Sequence, residues 1–344
     1  MTVTDPFLAA TQGRRVQHTP VWFMRQAGRS LPEYRALRGS GSILDAIKQP
    51  RLAADITLQP VRRYGVDAAV LYSDIIVPAH AVGFGIDVTP GTGPVAQQPF
   101  RNHSDLSRLR PLVPETDTPY VIETVRLVAA ELNVPLLAFA GAPFTVGSYL
   151  IEGRPSRDFV HTKSLMTTDA ALWEALMERL AEYAIASIRS QLDAGASAFQ
   201  LFDSWAGALT VEEYRNFVFP YSQHVFEELS ASHPRAPGIH FGVGCDHLLE
   251  QMYLAGPRVI GLDWRSSISE VRRRLGSDTV VQGNLNPELV LGPIDQAISA
   301  TDSVLADNAG HPGHIFNLGH GVQPSTDPEV LAAVVRHVHE QTSL

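Results

Sequence analysis

Residues 193–204 read DAGASAFQLFDS, and a continuous apolar run follows the glycine. Because the run does not alternate with polar residues, it predicts a strand that is buried on both faces. Upstream, apolar residues recur every four positions from Asp169 to Asp193, which predicts an amphipathic helix that ends at Gly195. The order of helix, glycine turn and buried strand is typical of parallel α/β folds.

The same pattern recurs along the whole chain. Together with 198–204, the predicted buried strands are 68–74, 136–143, 238–243, 259–264, 280–284 and 314–320. We predict an α/β fold, a single-domain (β/α)8 TIM barrel over residues 1–344, with its eighth strand near 20–24 or within 82–96. A Rossmann-type open sheet is the alternative, but YSDIIVPAHAVGFG (72–85) lacks the glycine fingerprint which that fold places after its first strand.

Composition narrows the functional class. The 344 residues are 44% hydrophobic, so a large core can form, and the net charge of -9 argues against nucleic-acid binding, which depends on neutralising phosphates. The single cysteine, Cys245, allows neither an intrachain disulfide nor a cysteine-rich metal cluster. The N-terminus does not resemble a signal peptide, and no apolar run approaches the ~20 residues that cross a bilayer. We therefore expect a cytoplasmic protein with no membrane partner.

Polar residues follow the predicted strands where each strand ends. In a TIM barrel the chemistry lies at these carboxyl ends. One such residue alone is usually structural, but seven at the same end predict a polar cavity. They are Asp74, Tyr149, Asp203, Ser204, Asp263, Asn284 and His320.

Several cofactor chemistries have little support. A Schiff-base enzyme needs a lysine at a strand end, whereas Lys48 and Lys163 lie in helical stretches. His311, His314 and His320 occupy opposite ends of one strand, so they are not expected to converge on a metal ion. The sequence therefore predicts no metal and no organic cofactor.

Residues 20–38, PVWFMRQAGRSLPEYRALR, are rich in arginine. Gly28 and Pro32 are predicted to interrupt any helix that would place the charges on a solvated face. A guanidinium group can donate two hydrogen bonds to one carboxylate, so this segment is predicted to lie at the active-site mouth and to bind a polyanionic substrate. Surface ion pairs, for example with Glu33, are the open alternative, and the RRR at 272–274 is predicted to be a solvated helix face. The four arginines of the segment are Arg25, Arg29, Arg35 and Arg38.

The segment WFMRQAGRSLPEYR (22–35) closely resembles the N-terminal signature of the uroporphyrinogen decarboxylase family. The resemblance spans nearly the whole chain in the right order. It continues through LQPVRRYGVDAAVLYSDIIVP (58–78), FAGAPFTVGSYLIEG (139–153), QLFDSWAG (200–207), QGNLNP (282–287) and FNLGHGV (316–322).

This resemblance implies a single-domain barrel and a homodimer that works without a metal or an organic cofactor. The implied reaction removes carbon dioxide from the four acetate arms of uroporphyrinogen III and gives coproporphyrinogen III. It implies catalytic roles for Asp74, Arg25, Tyr149 and His320. The implied substrate-binding residues are Arg25, Gln26, Ala27, Gly28, Arg29, Arg38, Asp74, Tyr149, Ser204 and His320. Asp203, Asp263 and Asn284 are expected to give structural support.

Two alternatives to the decarboxylase differ in chemistry. Related barrels are zinc methyltransferases with a His-x-Cys ligand pair near the fourth strand, where this chain has His240-Phe241-Gly242 and a wrongly spaced Cys245. That activity is disfavoured. A tetrapyrrole carrier would use the same arginines but would not need a buried aspartate facing the ring nitrogens.

Overall fold

The computed structural model describes residues 5–39, 41–89 and 91–344 of the chain. In these residues strands and helices alternate along most of the sequence. The strands are β1 (Ala69–Val70), β2 (Ile86–Thr89), β3 (Gly93–Ala96), β4 (Leu136–Gly141), β5 (Ala198–Asp203), β6 (Gly238–Gly242), β7 (Val259–Gly261), β8 (Val281–Gln282) and β9 (His314–Ile315).

The helices vary from one turn to seven. They are α1 (Pro6–Ala10), α2 (Pro32–Arg38), α3 (Ile43–Ile47), α4 (Pro50–Tyr64), α5 (Val77–Ala81), α6 (Pro114–Asp117), α7 (Pro119–Glu131), α8 (Pro143–Glu152), α9 (Val160–Thr168), α10 (Ala170–Ala194), α11 (Val211–Phe217), α12 (Phe219–Ser232), α13 (Leu249–Leu254), α14 (Ile268–Leu275), α15 (Ile294–Asn308) and α16 (Pro328–Thr342). Short 3-10 turns lie at His103–Arg108, Ala206–Ala208, Asp246–Leu248 and Leu289–Leu291. Across the described residues, no helix combines the length and apolar character that a membrane span requires.

The predicted helix before residue 195 is confirmed as α10. The Asp169 carboxylate caps its first turn by accepting the N–H of Leu172 at 3.1 Å. At the other end, Gly195 adopts a φ of 127° and stops the helix. The chain then enters β5, as the sequence predicted.

Strands β1 and β4 to β9 form one parallel sheet in chain order. Leu201 of β5 pairs with His240 of β6, and Ile260 of β7 pairs with Val281 of β8. All seven predicted strands are confirmed, although β1, β8 and β9 are each only two residues long. Because the strands are parallel, their carboxyl ends meet at one end of the sheet.

Residues 20–24 take the eighth position and close the sheet. The N–H of Trp22 donates to the Phe316 carbonyl at 3.3 Å, and Val21 accepts from the N–H of Asp67 at 2.8 Å. The segment therefore lies between β9 and the residues that lead into β1, and the fold is the predicted α/β TIM barrel. The other candidate region does not join this sheet, because β2 and β3 pair with each other as a separate antiparallel sheet.

The barrel interior is apolar, with one polar layer. Trp22 is fully buried, and its indole N–H donates to Gln282 Oε1 at 2.9 Å. The Gln282 amide in turn donates to Gln200 Oε1 at 2.8 Å. These hydrogen bonds join residues 20–24 to β8 and β5, so the closing segment is held through its side chains as well as its backbone.

Candidate active site

An open cavity lies at the carboxyl ends of the strands. Its floor is aromatic, formed by Phe139, Phe202 and Phe241. Polar side chains from the closing segment and from several strand ends surround this floor. They are Arg25, Arg29, Tyr34, Tyr72, Ser73, Asp74, Ser204 and His320.

A strained turn carries Arg25 and Arg29. Their φ angles are 61° and 48°, in the left-handed region that costs a non-glycine residue on the order of 1–3 kcal/mol. Gln26 holds the turn from inside the barrel, since its side chain accepts from the N–H of Phe23 at 2.8 Å and donates to the Ala68 carbonyl at 2.9 Å. Both guanidinium groups therefore project from a turn that is anchored to the start of β1.

The rest of the arginine-rich segment differs from the sequence prediction. Pro32 does not break a helix but begins α2, because proline is tolerated in the first turn, where its missing N–H has no helical partner. Helix α2 carries Arg38, whose Nη2 donates to the Gly41 carbonyl at 2.5 Å. Gly28 does mark a bend, with a φ of 95°, and an added Cβ would lie 3.1 Å from the ring of Tyr34.

Asp74 follows β1 and points into the cavity. Its Oδ1 accepts the N–H of Ile76 at 3.1 Å, just before α5 begins. Burial raises the pKa of the Asp74 carboxyl, and the nearby guanidinium groups of Arg25 and Arg29 oppose that rise. The carboxylate thus sits in a desolvated site, and two cations favour its charged form.

His320 follows β9 and faces the same arginines. Its Nδ1 accepts the N–H of Gly321 at 2.6 Å, so in the neutral ring the proton lies on Nε2. Burial, followed by repulsion from Arg25 and Arg29, lowers the pKa of His320 to about 4. At neutral pH this imidazole is therefore an uncharged hydrogen-bond donor.

Tyr149 lies on α8 beside the cavity. Its ring packs against that of Trp205, with the centroids 3.8 Å apart and the planes tilted by 34°. Burial, together with the charge of Asp74, raises the pKa of the Tyr149 phenol to about 12. The phenol is therefore neutral near pH 7, and it lies close enough to Asp74 to respond to that charge.

The structure brings most of the predicted site residues together. Arg25, Ala27, Arg29, Asp74, Ser204 and His320 all line the cavity. Gln26 does not, because its side chain is 1% exposed and faces the barrel wall. Arg38 and Tyr149 are not among the lining residues either, although the Arg38 guanidinium lies 5.9 Å from the ring of Tyr34, which does line the cavity.

Sequence reasoning missed several polar groups, among them Tyr34, Tyr72 and Ser73 of the cavity lining. The hydroxyls of Tyr34 and Tyr72 lie 3.1 Å apart at the cavity wall, and the position of Tyr72 two residues before Asp74 was the available signal. At a separate place, where Asp67 leads into β1, its two oxygens each bond one imidazole at 2.8 Å, from His18 and His339. These three residues come from distant parts of the chain, so no spacing rule would have grouped them.

Comparison with known proteins gives a consistent result. Residues 2–341 match the family model described as uroporphyrinogen decarboxylase. A uroporphyrinogen decarboxylase of Salinispora tropica is 53% identical over 340 residues, which cover 98% of this chain and 91% of that protein. Another, of Thermobifida fusca, is 50% identical over 98% of this chain and 93% of its own length.

The most informative structural likeness concerns the fold alone. A methyltransferase from Methanosarcina mazei superposes with a TM-score of 0.78 at 20% identity, over 99% of both chains. At that identity the likeness supports the barrel and says nothing of the reaction. The family match and the close relatives cover nearly the full length, and this chain belongs to the uroporphyrinogen decarboxylase family.

Proposed function

We propose that this protein is a carboxy-lyase of haem biosynthesis that converts the four acetate arms of uroporphyrinogen III to methyl groups and releases coproporphyrinogen III. The observation that supports this most directly is Asp74, a desolvated carboxylate in the same cavity as Arg25 and Arg29. The arginines match the substrate's carboxylates, and the aspartate matches the N–H groups at the centre of the macrocycle. We propose that residues 1–344 act as a single cytoplasmic domain that pairs as a homodimer.

The proposed reaction needs an electron sink, which the substrate itself can supply. A proton adds to the pyrrole α-carbon beside the acetate arm and leaves a cationic iminium. The C–C bond to the carboxylate then breaks, carbon dioxide leaves, and the bonding electrons neutralise the iminium. Protonation of the resulting methylene and loss of the α-proton restore the pyrrole, so each arm exchanges one carbon dioxide for one proton.

In this mechanism Asp74 stabilises the transient positive charge on the ring nitrogens. A fixed counter-charge in a desolvated site is effective because it needs no reorganisation during the reaction. Asp74 is held by the N–H of Ile76 and follows a strand, so it fits this role. Arg25 and Arg29 bind the carboxylate arms, while Ser204 and the neutral His320 donate hydrogen bonds.

The pKa values of the cavity residues limit which group can donate the proton to the pyrrole α-carbon. An imidazole whose pKa is about 4 carries no second proton at neutral pH, so His320 is a poor general acid for the α-carbon. The Tyr149 phenol, whose pKa is about 12, is a weak acid as well. Burial and the neighbouring Arg25 lower the pKa of Arg29 to about 10. The Arg29 guanidinium is therefore a stronger acid than the Tyr149 phenol.

The direct test is to incubate the purified protein with uroporphyrinogen III under anaerobic reduction and to measure coproporphyrinogen III. Product formation without added metal or cofactor supports the decarboxylase. A tetrapyrrole carrier would bind the substrate and leave it unchanged, and that outcome would refute the proposal. Size-exclusion chromatography with light scattering tests the homodimer separately.

Asp74→Asn tests the mechanism. Loss of the counter-charge should lower kcat by about 100-fold or more, the usual cost of one preorganised electrostatic group, and should weaken binding far less. The control is Asp55→Asn, which makes the same change on the exposed side of α4. Equal losses in binding and turnover would contradict the assigned role.

A further inference from the structure

A buried hydrogen-bonded chain lies behind the cavity wall, in residues that carry no role in the mechanism above. It begins at Asp203, the last residue of β5, whose side chain has no exposed surface. Asp203 Oδ1 accepts the hydroxyl proton of Thr145 at 2.9 Å. Thr145 Oγ1 in turn accepts the backbone N–H of Trp205 at 3.2 Å.

This chain connects two elements of the site. Thr145 lies in the first turn of α8, and Tyr149 lies one turn later on the same helix. Trp205 directly follows Ser204, and its ring packs against that of Tyr149 with the centroids 3.8 Å apart. The Asp203–Thr145 hydrogen bond therefore fixes both the backbone beside Ser204 and the helix that carries Tyr149.

The second oxygen of Asp203 faces another buried group. Asp203 Oδ2 lies 3.8 Å from Nε2 of His240, and both side chains are fully buried. His240 Nδ1 lies 3.3 Å from the Met252 carbonyl, which can only accept, so Nδ1 carries the proton and Nε2 of the neutral ring is an acceptor. Two acceptors at this distance fit one donor between them, because a water about 2.8 Å from each would satisfy both.

Neither facing atom has a hydrogen-bond partner among the described residues. A water between them would donate one hydrogen bond to Asp203 Oδ2 and one to His240 Nε2, which is within the two to four bonds that a buried water makes.

We propose that Asp203 is a positioning residue for the reaction, held from behind by one buried water shared with His240, and that it sets Ser204 and Tyr149 through Thr145. The role in turnover rests on the decarboxylase function proposed above. The role in geometry does not, because the hydrogen-bonded chain exists whatever the cavity binds.

The kinetic test uses two substitutions at one position. Thr145→Val keeps the shape but removes the hydroxyl that joins Asp203 to Trp205, and it should lower kcat about tenfold while KM changes less than about threefold, because misplaced groups lose turnover before binding. Thr145→Ser restores the hydroxyl and should recover most of kcat. Thr124→Val is the control, since Thr124 is a buried helical threonine of α7 whose hydroxyl donates only to the Tyr120 carbonyl.

The structural test is crystallography of wild type and Thr145→Val at a resolution that shows single waters. A density peak at hydrogen-bonding distance from Asp203 Oδ2 and His240 Nε2, and a Trp205 ring displaced in the variant, are the expected results. An unoccupied position, or a Trp205 that does not move, overturns the proposal, as does equal kcat in Thr145→Val and wild type. If wild type makes no coproporphyrinogen, the decarboxylase function fails, while the crystals still decide the positioning role.

Discussion

His314 should make the folded protein sensitive to acid. It lies in β9, 3% exposed, and its Nε2–H donates to the Gly283 carbonyl at 2.8 Å. Burial lowers the pKa of His314, the bond to the Gly283 carbonyl opposes the change and the nearby Arg272 adds to it, so that the pKa falls from 6.5 to about 4. The unfolded chain therefore binds a proton at a higher pH than the folded chain does.

The sign and size of the effect follow from proton linkage. A depressed folded pKa gives stability that is present above pH 6.5 and is lost as the pH falls toward 4. Between pH 7 and pH 5, a histidine with these two pKa values loses about 2 kcal/mol of unfolding free energy. His314→Gln cannot titrate, so its loss over the same pH interval should be smaller than that of wild type by that amount.

The assay is urea unfolding followed by circular dichroism at pH 7 and pH 5, with the two pH dependences subtracted. The subtraction removes the contributions of other titrating groups, including the site residue His320, whose pKa is also about 4. His161→Gln, on the exposed side of α9, is the matched control for the effect of the substitution itself. If wild type and His314→Gln lose stability equally between the two pH values, the reasoning from burial is wrong.

Three further substitutions test packing and site geometry. Gly321→Ala would place a Cβ 2.4 Å from Cδ of Arg25, so we expect kcat/KM to fall about tenfold with little change in Tm, measured by the decarboxylation assay and calorimetry. Trp22→Phe leaves the buried Gln282 Oε1 without its indole donor and should cost about 1–3 kcal/mol in urea unfolding. Arg272→Met removes a 5% exposed guanidinium that donates to backbone carbonyls around β8 and β9, and should cost about 3 kcal/mol or more in the same assay.

The strands could be predicted because their signal is local. Each buried strand is a continuous apolar run next to a turn residue, and that is visible within ten residues of sequence. The eighth position could only be narrowed to two candidates, because its partner is distant: Val21 pairs with Phe316, nearly the whole chain away. No local pattern carries that information.

The three arginines at 272–274 show that the direction of a side chain is also hard to predict from local sequence. RRR at 272–274 was predicted to be a solvated helix face, and this is wrong for Arg272, which is buried and donates to the Thr279 and Gly313 carbonyls. Arg273 does face solvent and pairs with Glu270. In the eight-residue helix α14, one of the three consecutive arginines faces inward. Which one does so depends on how α14 packs against the rest of the protein.

The residues around Arg25 show why a motif is an incomplete guide to a site. Gln26 is its immediate neighbour in the signature, yet Gln26 faces the barrel wall while Arg25 faces the cavity. The reason is the positive φ of Arg25. This conformation is uncommon for an arginine and cannot be predicted from the residue type. The inward amide of Gln26 is what holds that conformation, so both residues serve the site by different means.

The charges of the cavity explain how one site could process four arms in turn. Arg29, whose pKa is about 10, stays cationic at neutral pH, while the phenol of Tyr149 and the imidazole of His320 stay neutral. Between about pH 5 and pH 9 none of these three groups changes charge, so their contribution to the electrostatics of the cavity is constant over that range. Each rotated porphyrinogen would then meet the same guanidinium groups and the same central carboxylate. If His320 relayed the proton, the charge of the cavity wall would differ before and after each decarboxylation. The lowered pKa of His320 argues against such a relay.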